Sequence, residues 1–169
     1  MYPYLTPHGL IMQINRDPLN QLPADVIRDD IDLWNWYTQR LTGNRKFIRD
    51  VVARKSFSKL RSAIAGLYVV RGLFPQAEIA FKEALELYPL SPEANFRLAD
   101  LYLRWNRPED AYRLMASFYQ QDPGNTRSGD FAKDIKGRMD MTARINALEQ
   151  DINAQIQKNP INPLQVTSN

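Results

Sequence analysis

Apolar residues recur at steps of three and four along most of this chain, the period of helices that bury one face. Val26, Ile27, Ile31, Trp34, Tyr37 and Leu41 form the first such stripe and predict a helix over 24–41. Asp25, Asp29 and Asp30 lie near its N-terminal end, where the helix dipole favours anions, and Gly43-Asn44 supplies the stop. Phe47, Ile48, Val51 and Val52 predict a second helix from about Arg45 to Lys55. Helical patterning returns from Ser58 to about Arg71, from near Pro75 to Leu87, and again between Pro92 and Pro123. Phe131, Ile135, Met139, Thr142, Ile145, Leu148, Ile152 and Ile156 then predict one long helix over 127–158, with Gly137 as a candidate kink. Residues 1–23 break the pattern. Pro3, Pro7, Pro18 and Pro23 oppose helix, so this part reads as an extended arm with a short strand at 9–14. Its Tyr2, Tyr4, Leu5, Leu10, Ile11, Met12 and Ile14 need a surface to dock on, either this domain or a neighbour. The Pro- and Asn-rich tail over 159–169 reads as loose.

Two of these stretches match each other. Ile64, Ala65, Tyr68, Gly72, Ala77, Phe81 and Pro89 recur as Leu98, Ala99, Tyr102, Asn106, Ala111, Met115 and Pro123, each 34 residues further on. Gly72 ends a helix by taking the left-handed conformation, and Asn106 is the next-best residue for that role. Pro108 suits the first turn of the helix that follows. Ala65, Ala77, Ala99 and Ala111 let paired helices approach closely, while Tyr68, Phe81, Tyr102 and Met115 fill the flanks. Phe118 stands where the first repeat has Ala84, so the next element must pack differently there. No third good repeat follows Pro123; the long last helix instead caps the open end of the stack. The helix pair over 24–57 stands where a degenerate repeat would precede the first clear one.

A 34-residue period with small and aromatic residues in this order resembles the tetratricopeptide (TPR) repeat family over 58–125, about two fifths of the chain. The resemblance implies an all-α fold: a right-handed α-solenoid of antiparallel helix hairpins in a single domain over 24–158, with the arm before it and a capping helix at its end. It also implies a partner-binding groove lined by Lys59, Ser62, Gly66 and Val69 from one repeat, and by Glu93, Phe96, Asp100, Leu103 and Arg104 from the next. Family members that bind chaperones grip a peptide carboxylate with Lys and Asn at set positions. Ser62 and Gly66 stand at the first two of those here, which departs from that pattern. With so few repeats, the first or last helix of the chain is an alternative occupant of the groove, and Val69, Phe96 and Leu103 would then be core residues.

A second likeness concerns the flank. Tyr2-Pro3-Tyr4-Leu5-Thr6-Pro7-His8-Gly9-Leu10-Ile11, followed later by Ala53 to Arg61, resembles the junction and tail of bacterial multi-spanning membrane proteins similar to protein O-mannosyltransferases. It implies a soluble C-terminal accessory domain of a membrane-bound glycosyltransferase-like protein, tethered to the bacterial inner membrane, contacting the membrane surface or the acceptor, with the catalytic residues elsewhere. The chain opens on Met1-Tyr2-Pro3-Tyr4 with neither leader nor helix start, which fits a piece of a longer protein. The compartment stays open.

Composition changes this picture in two ways. Cys is absent, which excludes disulfides, thiolate catalysis and Cys-ligated metal. The net charge of +3 hides a segregation. Asp25, Asp29, Asp30 and Asp32 precede a stretch holding Arg40, Arg45, Lys46, Arg49, Arg54, Lys55, Lys59 and Arg61, with Asp50 as the only acid among them. The plain reading is two solvated helix faces that attract each other. The alternative is a basic surface at Arg45, Lys46, Arg49, Arg54 and Lys55 for phosphate groups, an anionic membrane or an acidic partner. Nucleic acid is not expected, because the aromatics form core stripes rather than stacking platforms.

Candidate chemistry is sparse. His8 is the only histidine, so no zinc site is expected. Asp30-Ile31-Asp32 has the D-x-D form, but side chains two apart on a helix diverge by about 200° and cannot share an ion. Glu83 and Glu86 are read as exposed, without a perturbing neighbour. No phosphate-cradling glycine motif is present. Sparse chemistry argues against an enzyme, a cofactor or a metal, and the repeat resemblance implies an interaction module that binds a protein or peptide partner.

Overall fold

The computed structural model describes residues 2–158; the tail expected to be loose lies outside them. The described residues form a hairpin of β1 (Leu5–His8) and β2 (Ile11–Ile14), then α1 (Ala24–Thr42), α2 (Arg45–Arg49), α3 (Val51–Val70), α4 (Phe74–Leu87), α5 (Pro92–Arg104), α6 (Pro108–Gln121) and α7 (Thr126–Lys158). The α3–α4 and α5–α6 hairpins stack, α1 packs on α4 at one end, and α7 lies on α6 at the other. The fold is an all-α solenoid with one small hairpin attached.

The repeat pattern explains how the hairpins turn and nest. Gly72 and Asn106 both adopt positive φ, at 72° and 55°. The amide after each donates back to the tyrosine carbonyl of its helix: Leu73 to Tyr68 at 2.9 Å and Arg107 to Tyr102 at 2.8 Å. This is the six-to-one bond of a Schellman cap, and it satisfies carbonyls that a helix end leaves open. Ala65, Ala77, Ala99 and Ala111 are wholly buried. Tyr68, Phe81, Tyr102 and Met115 pack beside them in a single core.

The structure departs from expectation in the flanking elements. A two-residue turn at Gly9 and Leu10 folds the arm into an antiparallel hairpin, pairing Leu5 with Ile14 and His8 with Ile11. It docks on this domain. Trp34 Nε1 donates to the Gly9 carbonyl at 3.2 Å. Arg71, at the end of α3, donates to the carbonyls of Leu19, Tyr2 and Pro3. Ile11 and Ile14 still face outward. The single helix expected over 45–55 is instead broken at Asp50, whose φ of −90° and ψ of 91° are non-helical. The Asp50 carboxylate accepts from the Ala53 amide at 2.9 Å and so starts a new helix, which runs on through Ser58 to Val70. The α2–α3 break is therefore an elbow rather than a loop between paired helices. At the far end α7 runs without a break through Gly137, so the candidate kink there is absent. Only its first half caps the stack: Ser128, Gly129, Ala132 and Ile135 are buried, and every residue from 140 to 158 is exposed.

A buried ion cluster fastens α1 to the first repeat. Arg61, wholly buried, donates to Asp30 Oδ2 at 2.7 Å and to Glu83 Oε2 at 2.6 Å. Tyr68 Oη donates to the same Asp30 oxygen at 2.6 Å. The Arg61 guanidinium lies 5.2 Å from the Trp34 ring centroid. Burial, opposed by Arg61, raises the Glu83 pKa, and burial with the Asp30 bond raises that of Tyr68. This corrects two expectations: Glu83 is not on an exposed face, and Arg61 is not part of a solvated basic stretch. Arg61, Ala65 and Tyr68 follow one another at helical spacing on one face, which places a charge on the core stripe.

Candidate functional site

Helices α3 and α5 are the first helices of successive hairpins and lie side by side. Gly66, Val69 and Val70 of α3 face Arg97, Asp100, Leu101 and Arg104 of α5 across a shallow cleft of about 150 Å³ that also touches Phe81. Gly66 makes the close approach possible. A Cβ built there would stand 2.5 Å from Arg97 Nη2. Arg97 lies across the glycine, 3.4 Å from the Ser62 carbonyl and 3.2 Å from Glu93 Oε1, with its guanidinium 5.9 Å from the Phe81 centroid. Its planar group is thus held by neighbours from both helices. Asp100 and Arg104 are exposed beside it and make no ion pair among the described residues. The cleft offers two guanidinium groups, one carboxylate and the apolar edge of Val69 and Val70. Such a surface can hydrogen-bond an extended peptide and pair with a carboxylate on it.

The expected groove residues fall into three groups. Val69, Asp100 and Arg104 line the cleft. Lys59 and Glu93 are exposed and line a separate hollow with Lys55, Tyr88 and Asp122, and Leu103 is half-buried against the core. Ser62 and Phe96 are not available to a ligand in the expected way. Ser62 is wholly buried. The Phe96 ring stacks on Phe131 of α7, centroids 5.8 Å apart and planes at 18°, and meets the buried Phe118 edge-on at 6.4 Å. The last helix therefore closes the Phe96 side of the groove, which is how the Phe118 substitution is accommodated. Arg97 and Val70 were not among the expected residues. Glu93, Arg97, Asp100 and Arg104 continue one helical stripe, and that spacing was the signal for Arg97.

The basic stretch resolves into separate parts. Arg45, Lys46, Arg49 and Lys55 are exposed around the α2–α3 elbow and make no ion pair among the described residues. Arg54 has a structural task instead: its Nε donates to the Leu87 carbonyl at 3.0 Å, at the end of α4, and its guanidinium lies 5.5 Å from the Tyr88 centroid. Of the acidic stretch, Asp29 pairs with its neighbour Arg28 and Asp30 with buried Arg61. The two stretches are joined by that one buried bridge rather than by facing surfaces. Ile48, Val51 and Val52 are exposed among the elbow cations.

A second polar cluster braces the join between the repeats. Tyr102 Oη donates to Glu78 Oε1 at 3.0 Å, and Arg107 bridges Glu78 Oε2 at 2.8 Å and Asp110 at 2.7 Å. Lys82 adds a bond to Glu78 at 2.7 Å. Burial alone would raise the Glu78 pKa, but the bonds from Lys82, Arg107 and Tyr102 outweigh it and hold the carboxyl below its ordinary range. No group of three or more metal-ligating side chains occurs among the described residues. His8 is exposed at the end of β1.

Comparison with known proteins bears on the family and the fold. The family model for the tetratricopeptide repeat matches residues 80–113. A solved structure of the Hsp90 co-chaperone Cns1 from Saccharomyces cerevisiae superposes with a TM-score of 0.52 at 17% identity, covering 79% of this chain and 46% of that one. This chain therefore spans less than half of the matched structure. No curated protein matches the chain, so the likeness of its flank to bacterial membrane glycosyltransferases gains no support.

Proposed function

We propose that this tetratricopeptide-repeat chain is a non-enzymatic interaction module that binds an extended peptide segment of a partner protein in the α3–α5 cleft. The segment carries at least one carboxylate beside an apolar residue. The observation that supports this reading most is Arg97, laid across Gly66 and flanked by unpaired Arg104 and exposed Val70. A pre-oriented guanidinium loses little side-chain freedom when it donates to a carboxylate, and a neighbouring cation adds charge without a new partner to displace. Asp100 sets specificity by repelling a second acid at its own end of the cleft.

Selecting a random peptide library on the immobilised chain, then titrating the selected peptides by fluorescence anisotropy, tests this. Selected peptides are expected to be acidic. Arg104→Glu is expected to weaken them tenfold or more with no loss of melting temperature, because Arg104 is exposed. Selected peptides that bind Arg104→Glu and Val70→Asp as tightly as the parent would overturn the reading.

A second reading rests on the elbow. We propose that Arg45, Lys46, Arg49 and Lys55, with the exposed Ile48, Val51 and Val52 between them, contact an anionic membrane surface. Basic side chains interleaved with apolar tips suit the boundary between headgroups and acyl chains. No helix among the described residues is long and apolar enough to cross a membrane. Binding to phosphatidylserine vesicles should fall with salt and with joint neutralisation of Arg45, Lys46 and Arg49. Absence of binding at low salt would remove this reading.

A further inference from the structure

The outer half of α7 is an apolar stripe with nothing packed on it. Residues 140–158 are all exposed and extend about 28 Å at 1.5 Å per residue. Met141, Ile145, Leu148 and Ile152 show between 47% and 61% of their surface to solvent. A single helix of this length is marginal in water unless its apolar face is covered. The residue types on the stripe say what covers it. In a heptad frame Ile145 and Ile152 take the a positions, and Met141 and Leu148 the d positions. Arg138 at the preceding a and Gln155 at the following d close the seam at both ends. β-branched residues at a with Leu at d favour two parallel strands over higher assemblies. The flanks agree: Arg144 at g lies opposite Glu149 at e of a parallel partner, and symmetry makes the pair twice. Neither residue has an ion-pair partner among the described residues, whereas the nearby Arg138 is already bonded to Asp134 at 2.8 Å.

From these features we infer that two copies of this chain associate through a parallel coiled coil of residues 141–152, independently of the cleft. The seam is short, so the dimer forms with rising concentration rather than being obligate. Each copy keeps its own repeat stack and cleft, and the pair presents two clefts to one partner molecule.

Sedimentation equilibrium over a wide concentration range is the primary test, with a mass rising toward two chains expected. Leu148→Glu should hold the chain as a monomer, with the melting temperature of the parent at concentrations where the parent is itself monomeric, since no described contact of the repeat stack involves it. Orientation is tested by cysteine, which the natural sequence lacks. Gln155→Cys at d should cross-link two copies under mild oxidation, and Asn153→Cys on the outer face should not. Arg144→Glu should weaken the dimer, and adding Glu149→Arg should restore it. A monomer at every concentration would overturn the inference, as would equal cross-linking of the two cysteine variants. Cross-linking indifferent to Leu148→Glu would do the same. An antiparallel pair, which sets Arg144 against Asp151 and gives no rescue by Glu149→Arg, would overturn it too. So would a strictly monomeric chain whose Leu148 is needed for vesicle binding.

Discussion

Several positions 34 residues apart hold like side chains in the core of both repeats, while several beside the cleft hold unlike ones. Ile64 and Leu98, Ala65 and Ala99, and Tyr68 and Tyr102 are buried pairs. In the cleft, Gly66 corresponds to Asp100 and Val70 to Arg104, while Arg97 corresponds to Ala63 outside it. The core pairs answer to the same packing twice, so they stay alike. Across the cleft it is non-equivalent positions of the two repeats that meet: Gly66 on α3 leaves room for Arg97 on α5. Even the matched tyrosines share one contact in two settings. Tyr68 gives its hydroxyl to the buried Asp30–Arg61–Glu83 cluster, and Tyr102 gives its own to Glu78 at a half-open rim braced by Arg107.

The largest effect should come from breaking what the repeats share. Ala77→Arg or Ala111→Arg overpacks a helix interface and buries an unpaired charge, so neither variant should show a cooperative melt. A variant as stable as the parent would defeat the packing account. Next come the two ion clusters, which sharpen the contrast between inside and rim. Arg61→Ala leaves two buried carboxylates without their partner and should cost about 3–5 kcal/mol in urea unfolding. Arg107→Ala acts where solvent screens the charges and should cost about 1 kcal/mol. Equal losses would mean that the clusters are not different in kind. The helix stops form a smaller pair: Gly72→Ala places a Cβ at a φ of 72° and should cost about 1 kcal/mol, whereas Asn106→Gly relieves the same conformation and should be neutral or mildly stabilising.

The smallest effect is a pH dependence at the rim. The folded Glu78 carboxyl is held below its ordinary value of 4.5, so the stability it adds is complete above that pH and is lost as pH falls through the lower folded value. Glu83, raised by burial, works in the opposite sense: acidification through its folded value protonates it before its unfolded counterpart and favours the folded chain. Glu78→Gln should therefore lower stability at neutral pH and flatten the loss on the acid side, read from urea midpoints across the acid range. An unchanged acid limb would place the titration elsewhere.

The solenoid was legible because its constraints repeat. A turn that needs positive φ and a contact that needs a methyl leave the same residue type at the same place twice, and Gly72, Asn106 and the four alanines mark both hairpins. Elements that occur once were harder to read. Asp50 looked like a lone acid in a basic stretch, yet it caps a helix. Arg61 and Glu83 looked solvated because charge suggests exposure, although their helical spacing puts them on core stripes. Phe96 was open to two readings, groove or core, and only α7, which has no counterpart in the repeat, decides between them by lying over it. The cleft was half legible: its position follows from the stacking, but the placement of Arg97 depends on the space above Gly66, which no single-helix pattern contains.

The most direct measurement is residue-level mapping of a selected acidic peptide on the isotope-labelled chain by amide chemical-shift perturbation. The account predicts changes grouped at Val69, Val70, Arg97, Asp100 and Arg104, with the core partners Ala65 and Ala99 shifting little. Changes centred on the α2–α3 elbow or on the outer half of α7, with the cleft silent, would contradict it.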